Sequence, residues 1–150
     1  MNYKIIVPKN ENDIQSYYSL RFEVLRKPWG QNEDTTRDES EDQSLHVLMI
    51  DENGEAVATG RLQYNSEQEG QIRSMAVKEE FRGKGIGTLI LNFLEKNANE
   101  KNIAKIILDA RDNAVNFYLK NGYTIEGDSY KLFDVIPHFR MMKMLKTENN

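Results

Sequence analysis

The stretch RGKGIG, residues 82–87, sets three glycines and two cations in six positions just ahead of an apolar helical pattern. Glycines at 83, 85 and 87 leave no Cβ between the main chain and a ligand. Several N–H groups can therefore converge on an anion, while the start of the following helix adds positive potential. That is the chemistry of a phosphate cradle. Two common versions are excluded by spacing. A P-loop needs Gly-Lys-Ser/Thr after a four-residue gap, and a dinucleotide fingerprint needs glycine at 88, where this chain has Thr88. The plain alternative is a tight glycine-rich helix start carrying two solvated cations.

Composition limits what else the chain can do. Its 150 residues are the length of one domain that buries most of its surface. The absence of cysteine excludes disulfides, thiolate metal sites and a cysteine nucleophile, and fits a reducing, cytoplasmic setting. No metal is called for. The start, MNYKIIVPKN, has an apolar run of only three residues and reads as neither a signal peptide nor a membrane span. A net charge of -4 argues against a nucleic-acid partner. A second copy of the chain is an admissible partner.

The elements that must position the loop follow from periodicity. Strands are expected at 3–7, 45–51, 55–64, 71–77, 104–110, 123–127 and 138–145, and helices at 12–26, 86–100 and 113–120. Asn10 or Asn12 serves as first N-cap, ENG at 52–54 closes a hairpin, and Gly122 stops the short helix. This order is a mixed α/β sheet without internal repeats, ending in a frayed tail at 146–150. Between the first helix and second strand runs PWGQNEDTTRDESEDQS, 28–44, with six carboxylates and one arginine. A structureless connection of this length reads either as a flap attracting a cationic amine or as a solvated linker. Trp29 at its start is placed to cover a pocket or anchor the flap.

The run RSMAVKEEFRGKGIGTLILNFLE, 73–95, resembles the signature of the GCN5-related N-acetyltransferase (GNAT) superfamily, with Arg82, Gly85 and Gly87 at its motif positions. DNAVNFYLKNGYTIEG, 112–127, resembles the second motif of the same superfamily. LRFEVL at 20–25, His46, GRLQY at 60–64 and IPHFRM at 136–141 look like its ElaA-like branch, which extends the resemblance over nearly the whole chain. Read alone, Arg21 is a surface cation, Gly60 a bulge and Pro137 an edge-strand start.

The resemblance implies a single acetyltransferase domain whose mixed, mostly antiparallel sheet is flanked by helices and splayed between the strands at 71–77 and 104–110. It implies acetyl-CoA as co-substrate and a small-molecule or peptide primary amine as acceptor, attacked directly in a ternary complex. The pyrophosphate would lie against Arg82, Gly83, Lys84, Gly85, Gly87 and Thr88. Met75 and Val77 would pair with the amides of the pantetheine arm, and the N–H of Met75 or Ala76 would face the thioester oxyanion. Asn113 and Asn116 would contact the arm from the other side, and Tyr118 would be the general acid. Arg73 stands where histone-acetylating members carry a glutamate base, which leaves His46, His138, Asp109, Glu23 or a water chain for that role. Arg21, Trp29 and His138 are the expected acceptor contacts. A non-catalytic acyl-CoA sensor with the same cradle is the alternative.

Overall fold

The computed structural model describes residues 2–132 and 136–145, with main chain alone at 130–132; the tail expected at 146–150 lies outside the described residues. Helix α1, Glu11–Leu25, begins where the Asn10 side chain accepts the Asp13 N–H at 2.8 Å, with Glu11 and Asp13 in its positive first turn. Helix α2, Ile86–Glu100, turns a stripe of Ile86, Ile90, Leu91, Leu94 and Ala98 inward, each at most 1% exposed. Helix α3, Val115–Lys120, is short, and Gly122 follows it with φ +92. Among the described residues there are seven strands: β1 Lys4–Ile6, β2 Leu45–Ile50, β3 Ala56–Tyr64, β4 Glu69–Val77, β5 Lys105–Arg111, β6 Thr124–Leu132 and β7 Ile136–Met144.

They form one mixed sheet in the order β1-β2-β3-β4-β5-β7-β6. The β4–β5 pair is parallel, as a crossover through α2 allows, while β1–β2, β2–β3, β5–β7 and β6–β7 are antiparallel. The parallel ladder runs from Glu69–Lys105 to Ile72–Leu108 and stops there, although both strands run on. This is the splay expected between these two strands.

Two compact units share β4 and α2: Met1–Gln63 with Ser74–Leu94, and Tyr64–Arg73 with Glu95–Asn150. The first is cored by Tyr17, Leu20, Val47, Leu48, Leu62 and Ile90, the second by Ile106, Leu108, Tyr123 and Met141.

Three local expectations are corrected. Pro137 does not mark an edge, because β7 lies between β5 and β6; the β5 ladder begins at His138, one residue after the missing N–H. Gly60 is not a bulge: the β2–β3 register shifts at Met49/Ile50, and Gly60 pairs regularly with Val47. The connection at 28–44 is not structureless. It folds into 3₁₀ turns at Lys27–Trp29, Glu33–Thr36 and Glu41–Gln43.

Gly60 is required by proximity rather than by φ. A Cβ there would lie 2.5 Å from Ile90 Cγ2 and 3.1 Å from both Leu94 Cδ1 and Met75 Sδ. Only a glycine lets α2 settle this closely on the strand. Gly60→Ala is expected to lower stability by about 1–3 kcal/mol through overpacking, read as a lower urea midpoint at unchanged m-value. An unaltered midpoint would show that α2 retreats without cost.

Candidate active site

In the first unit, β4 carries a left-handed residue, Ser74, with φ +55. A non-glycine residue held there costs on the order of 1–3 kcal/mol and persists only when its surroundings enforce it. Here the Thr59 hydroxyl donates to the Ser74 carbonyl at 2.9 Å. The turn falls just past Ile72, where pairing with β5 ends, and it redirects the main chain of Met75, Ala76 and Val77.

The chain then enters the 3₁₀ turn Glu79–Phe81 and the glycine loop, which Arg82 Nε ties back to the Val77 carbonyl at 3.2 Å. Gly83 and Gly85 both have φ +79, and a Cβ on either would meet nothing within 4 Å, so they open the loop outward. The first helical bond of α2 runs from Leu89 N–H to the Gly85 carbonyl, which leaves the N–H groups of Ile86, Gly87 and Thr88 ahead of the helical ladder. Open glycines leading to uncommitted N–H groups at a helix start fit a pyrophosphate. Within the expected cradle one donor is removed, because the Arg82 main-chain N–H already bonds the Glu79 carbonyl at 3.2 Å. Lys84 is exposed, with Nζ 5.5 Å from the Phe81 ring centroid.

The same unit contains a buried ionic group absent from the sequence reading. Arg61, fully buried, bonds Asp38 at 2.7 and 2.8 Å and Glu41 at 2.8 Å. Arg21, 2% exposed, bonds the other Glu41 oxygen at 2.6 Å and the Thr36 carbonyl at 2.5 Å. Arg21 is thus neither a surface cation nor positioned to meet an acceptor. His46 joins the group at both ring nitrogens, Nδ1 at 2.6 Å from the Tyr17 hydroxyl and Nε2 at 2.6 Å from the Glu41 carbonyl. A carbonyl only accepts, so Nε2 carries the proton and Tyr17 donates to Nδ1. With both nitrogens engaged internally, His46 holds the segment in place rather than serving an amine. Trp29 stays 43% exposed, beside a left-handed Gly30. Glu23 is exposed on α1.

In the second unit, Asn113 lies in a 3₁₀ turn, Asp112–Ala114, instead of opening α3, and both Asn113 and Asn116 are exposed. Tyr118 is 7% exposed, edge-on to Phe117 and Tyr123. Burial pushes its phenol well above the ordinary tyrosine range, so it stays protonated at neutral pH. His138 is 5% exposed, and its Nδ1 donates to the Ile136 carbonyl at 2.9 Å, which makes Nε2 the basic nitrogen of the neutral ring. Asp109 is clothed by Arg140 Nε and the Ser129 hydroxyl, both at 2.7 Å.

Residues 13–123 match the family model described as Acetyltransferase (GNAT) family. The Bacillus subtilis (strain 168) protein described as uncharacterized N-acetyltransferase YjcF is 33% identical over 141 residues, covering 93% of this chain and 99% of that one. Among solved structures, an aminoglycoside 6'-N-acetyltransferase complexed with coenzyme A superposes with a TM-score of 0.79 at 18% identity, covering 100% of both chains. Escherichia coli ElaA superposes with 0.77 at 19% identity, over 95% of this chain and 98% of its own. The chain belongs to the GNAT acetyltransferase family, and its likeness to ElaA is one of fold.

Burial holds His46 below the ordinary histidine range, with Arg21 and Arg61 adding to the effect and the Glu41 carbonyl and carboxylate opposing it. A base whose folded pKa is depressed takes up protons more readily when unfolded. The stability it contributes is complete above about pH 6.5 and declines as pH falls toward the folded pKa. Glu41 acts in the same sense at lower pH: burial raises it, but the hydrogen bond and charge of Arg21 outweigh this and hold it low. His46→Gln is therefore expected to flatten the loss of unfolding free energy between pH 7.5 and 5 in urea titrations. The assignment fails if the variant loses stability as steeply as the parent.

Proposed function

We propose that this chain is a single acetyltransferase domain that moves an acetyl group from acetyl-CoA to a primary amine by direct attack in a ternary complex. The observation that carries the reading is the continuous path from left-handed Ser74, through the redirected main chain of Met75–Val77, to the open glycine loop and the uncommitted N–H groups of α2. Glycines 83, 85 and 87, the N–H groups of Ile86 and Thr88, and the cations of Arg82 and Lys84 hold the pyrophosphate. Main-chain groups of Met75 and Val77 pair with the pantetheine amides in the manner of an added strand. The N–H of Met75 or Ala76 donates to the thioester oxygen as it gains charge, a contribution of about 2.7–4 kcal/mol for one preorganised donor. Asn113 and Asn116 contact the arm.

As the amine nitrogen bonds the carbonyl carbon and the carbon–sulfur bond breaks, the Tyr118 phenol gives its proton to the departing sulfur. A phenol kept neutral by burial suits this step, since only the protonated form can donate. His138 accepts the proton lost by the amine at Nε2. Burial holds its pKa below the ordinary histidine range, with Arg111 lowering it further, so the ring is neutral near pH 7. With no cysteine in the chain, no thiol of the protein takes the acetyl group.

Tyr118→Phe keeps the ring and its packing but deletes the hydroxyl. It is expected to lower kcat on the order of 100-fold or more with acetyl-CoA affinity nearly unchanged. Equal turnover would remove Tyr118 from the chemistry. Gly85→Asp sets a carboxylate in the cradle at a left-handed residue and is expected to abolish the rise in Tm that acetyl-CoA gives the parent. A folded variant that binds acetyl-CoA as tightly as the parent would move the cradle elsewhere.

A further inference from the structure

In the first unit, β3 carries a hydroxyl where packing alone calls for none. Gly60 faces α2, where a Cβ would meet Ile90 and Leu94, so the side chain of Thr59, one residue earlier in a regular stretch of the ladder, stands off the other face of the sheet. Thr59 pairs with Leu48 of β2, and cross-strand partners share a face. Leu48 is 1% exposed and Thr59 is fully buried. Valine has the same shape without the oxygen. A hydroxyl in such surroundings is costly unless it is bonded, and this one donates to the Ser74 carbonyl at 2.9 Å.

That bond reaches beyond the strained serine. The Ser74 carbonyl and the Met75 N–H belong to one peptide unit, and a trans peptide plane points its C=O and N–H in opposite directions. Because the carbonyl is turned toward a side chain of β3, the Met75 N–H is directed away from β3. This is the side on which the ladder with β5 stops at Ile72. A hydrogen bond accepted by the carbonyl also draws electron density from the amide nitrogen, which strengthens the N–H as a donor by about 10–30%. Other groups fix where the segment lies. The Lys78 N–H donates to the Val57 carbonyl at 3.0 Å, Arg82 Nε to the Val77 carbonyl at 3.2 Å, and Met75 Sδ packs 3.1 Å from the place a Cβ on Gly60 would take. The Thr59 bond acts instead on the orientation of the peptide that carries the Met75 N–H.

We propose that Thr59 is a positioning residue of the acetyl-transfer site: its hydroxyl sets the plane of the Ser74–Met75 peptide so that the N–H of Met75, rather than that of Ala76, donates to the thioester oxygen of acetyl-CoA. This rests on the acetyl-transfer reading and narrows its two candidate donors to one. Thr59 itself touches neither the thioester nor the amine. Without the hydroxyl, relaxation of a serine held at φ +55 turns the whole peptide plane and carries the N–H off its target.

The test reads the thioester carbonyl directly. Infrared difference spectra of the full chain, saturated with acetyl-CoA isotopically labelled at the acetyl carbonyl, report the C=O stretch of the bound thioester, which falls as its oxygen accepts a stronger hydrogen bond. Thr59→Val is expected to raise that frequency above the parent's, and Thr59→Ser, which keeps the hydroxyl, to leave it at the parent's value. Should Thr59→Val not fold, the same change is made in a Ser74→Gly background, where glycine adopts the left-handed φ without strain, and is again expected to raise the frequency. A hydroxyl that serves packing alone would lower the urea midpoint when removed and leave the stretch unmoved. That result, or an equal rise in Thr59→Val and Thr59→Ser, overturns this inference alone. A parent whose Tm and spectrum show no response to acetyl-CoA overturns the acetyl-transfer reading and this inference with it.

Discussion

A strand held by neighbours on both sides cannot change its main-chain direction without giving up one of the ladders, and Ser74 imposes that choice on β4. Up to Ile72 the strand pairs in parallel with β5; two residues later its φ is +55 and the Thr59 hydroxyl holds its carbonyl. The residues before the turn serve the sheet, with Gln71 reaching Asp109 at 3.4 Å. Those after it, Met75 to Val77, lead straight to the glycine loop. One unfavourable dihedral thus divides a nine-residue strand into a half paired with β5 and a half beyond that ladder.

A second constraint is electrostatic. Burying Arg21, Arg61 and Glu41 incurs a desolvation cost that their mutual attraction offsets only when the geometry is good and the remaining donors are satisfied. Every nitrogen of the Arg61 guanidinium has a partner: Nε bonds Ser44, Nη1 bonds Asp38 and Glu41, and Nη2 bonds Asp38 and Gln63. The consequence is order in a stretch rich in charge. Arg26 adds to it from the end of α1 by donating to the Thr35 carbonyl at 3.1 Å. The apolar core needs no such fit, but a segment with six carboxylates and few apolar side chains has little else to fold around.

Much of the fold was legible because it is written in local spacing. The stripe from Ile86 to Ala98 names its own helix, and Asn10 and Gly122 mark ends through preferences of their own. Features set by residues distant in sequence were not legible. Serine has no preference for positive φ, so nothing in QIRSMAV marks the turn at Ser74; a glycine or asparagine there would have. Asp38 and Glu41 look solvated until Arg21 and Arg61, each about twenty residues away, are folded against them. Pro137 suggested an edge by a sound rule, but the rule concerns a missing N–H, and that N–H lies just outside the β5 ladder. The ion pair on the β5–β7 ladder was invisible for the same reason: Arg140 meets Asp109 only because β7 pairs with β5.

The insertion of β7 between β5 and β6 leaves β6 as the outer strand of its side of the sheet. Its register with β7 shifts twice, between Ile125 and Gly127 and again between Asp128 and Lys131. An incoming strand therefore finds no long, evenly spaced row of N–H and C=O groups to copy, only short runs separated by steps. The irregularity makes β6 a poor template for edge-to-edge growth of the sheet into fibres.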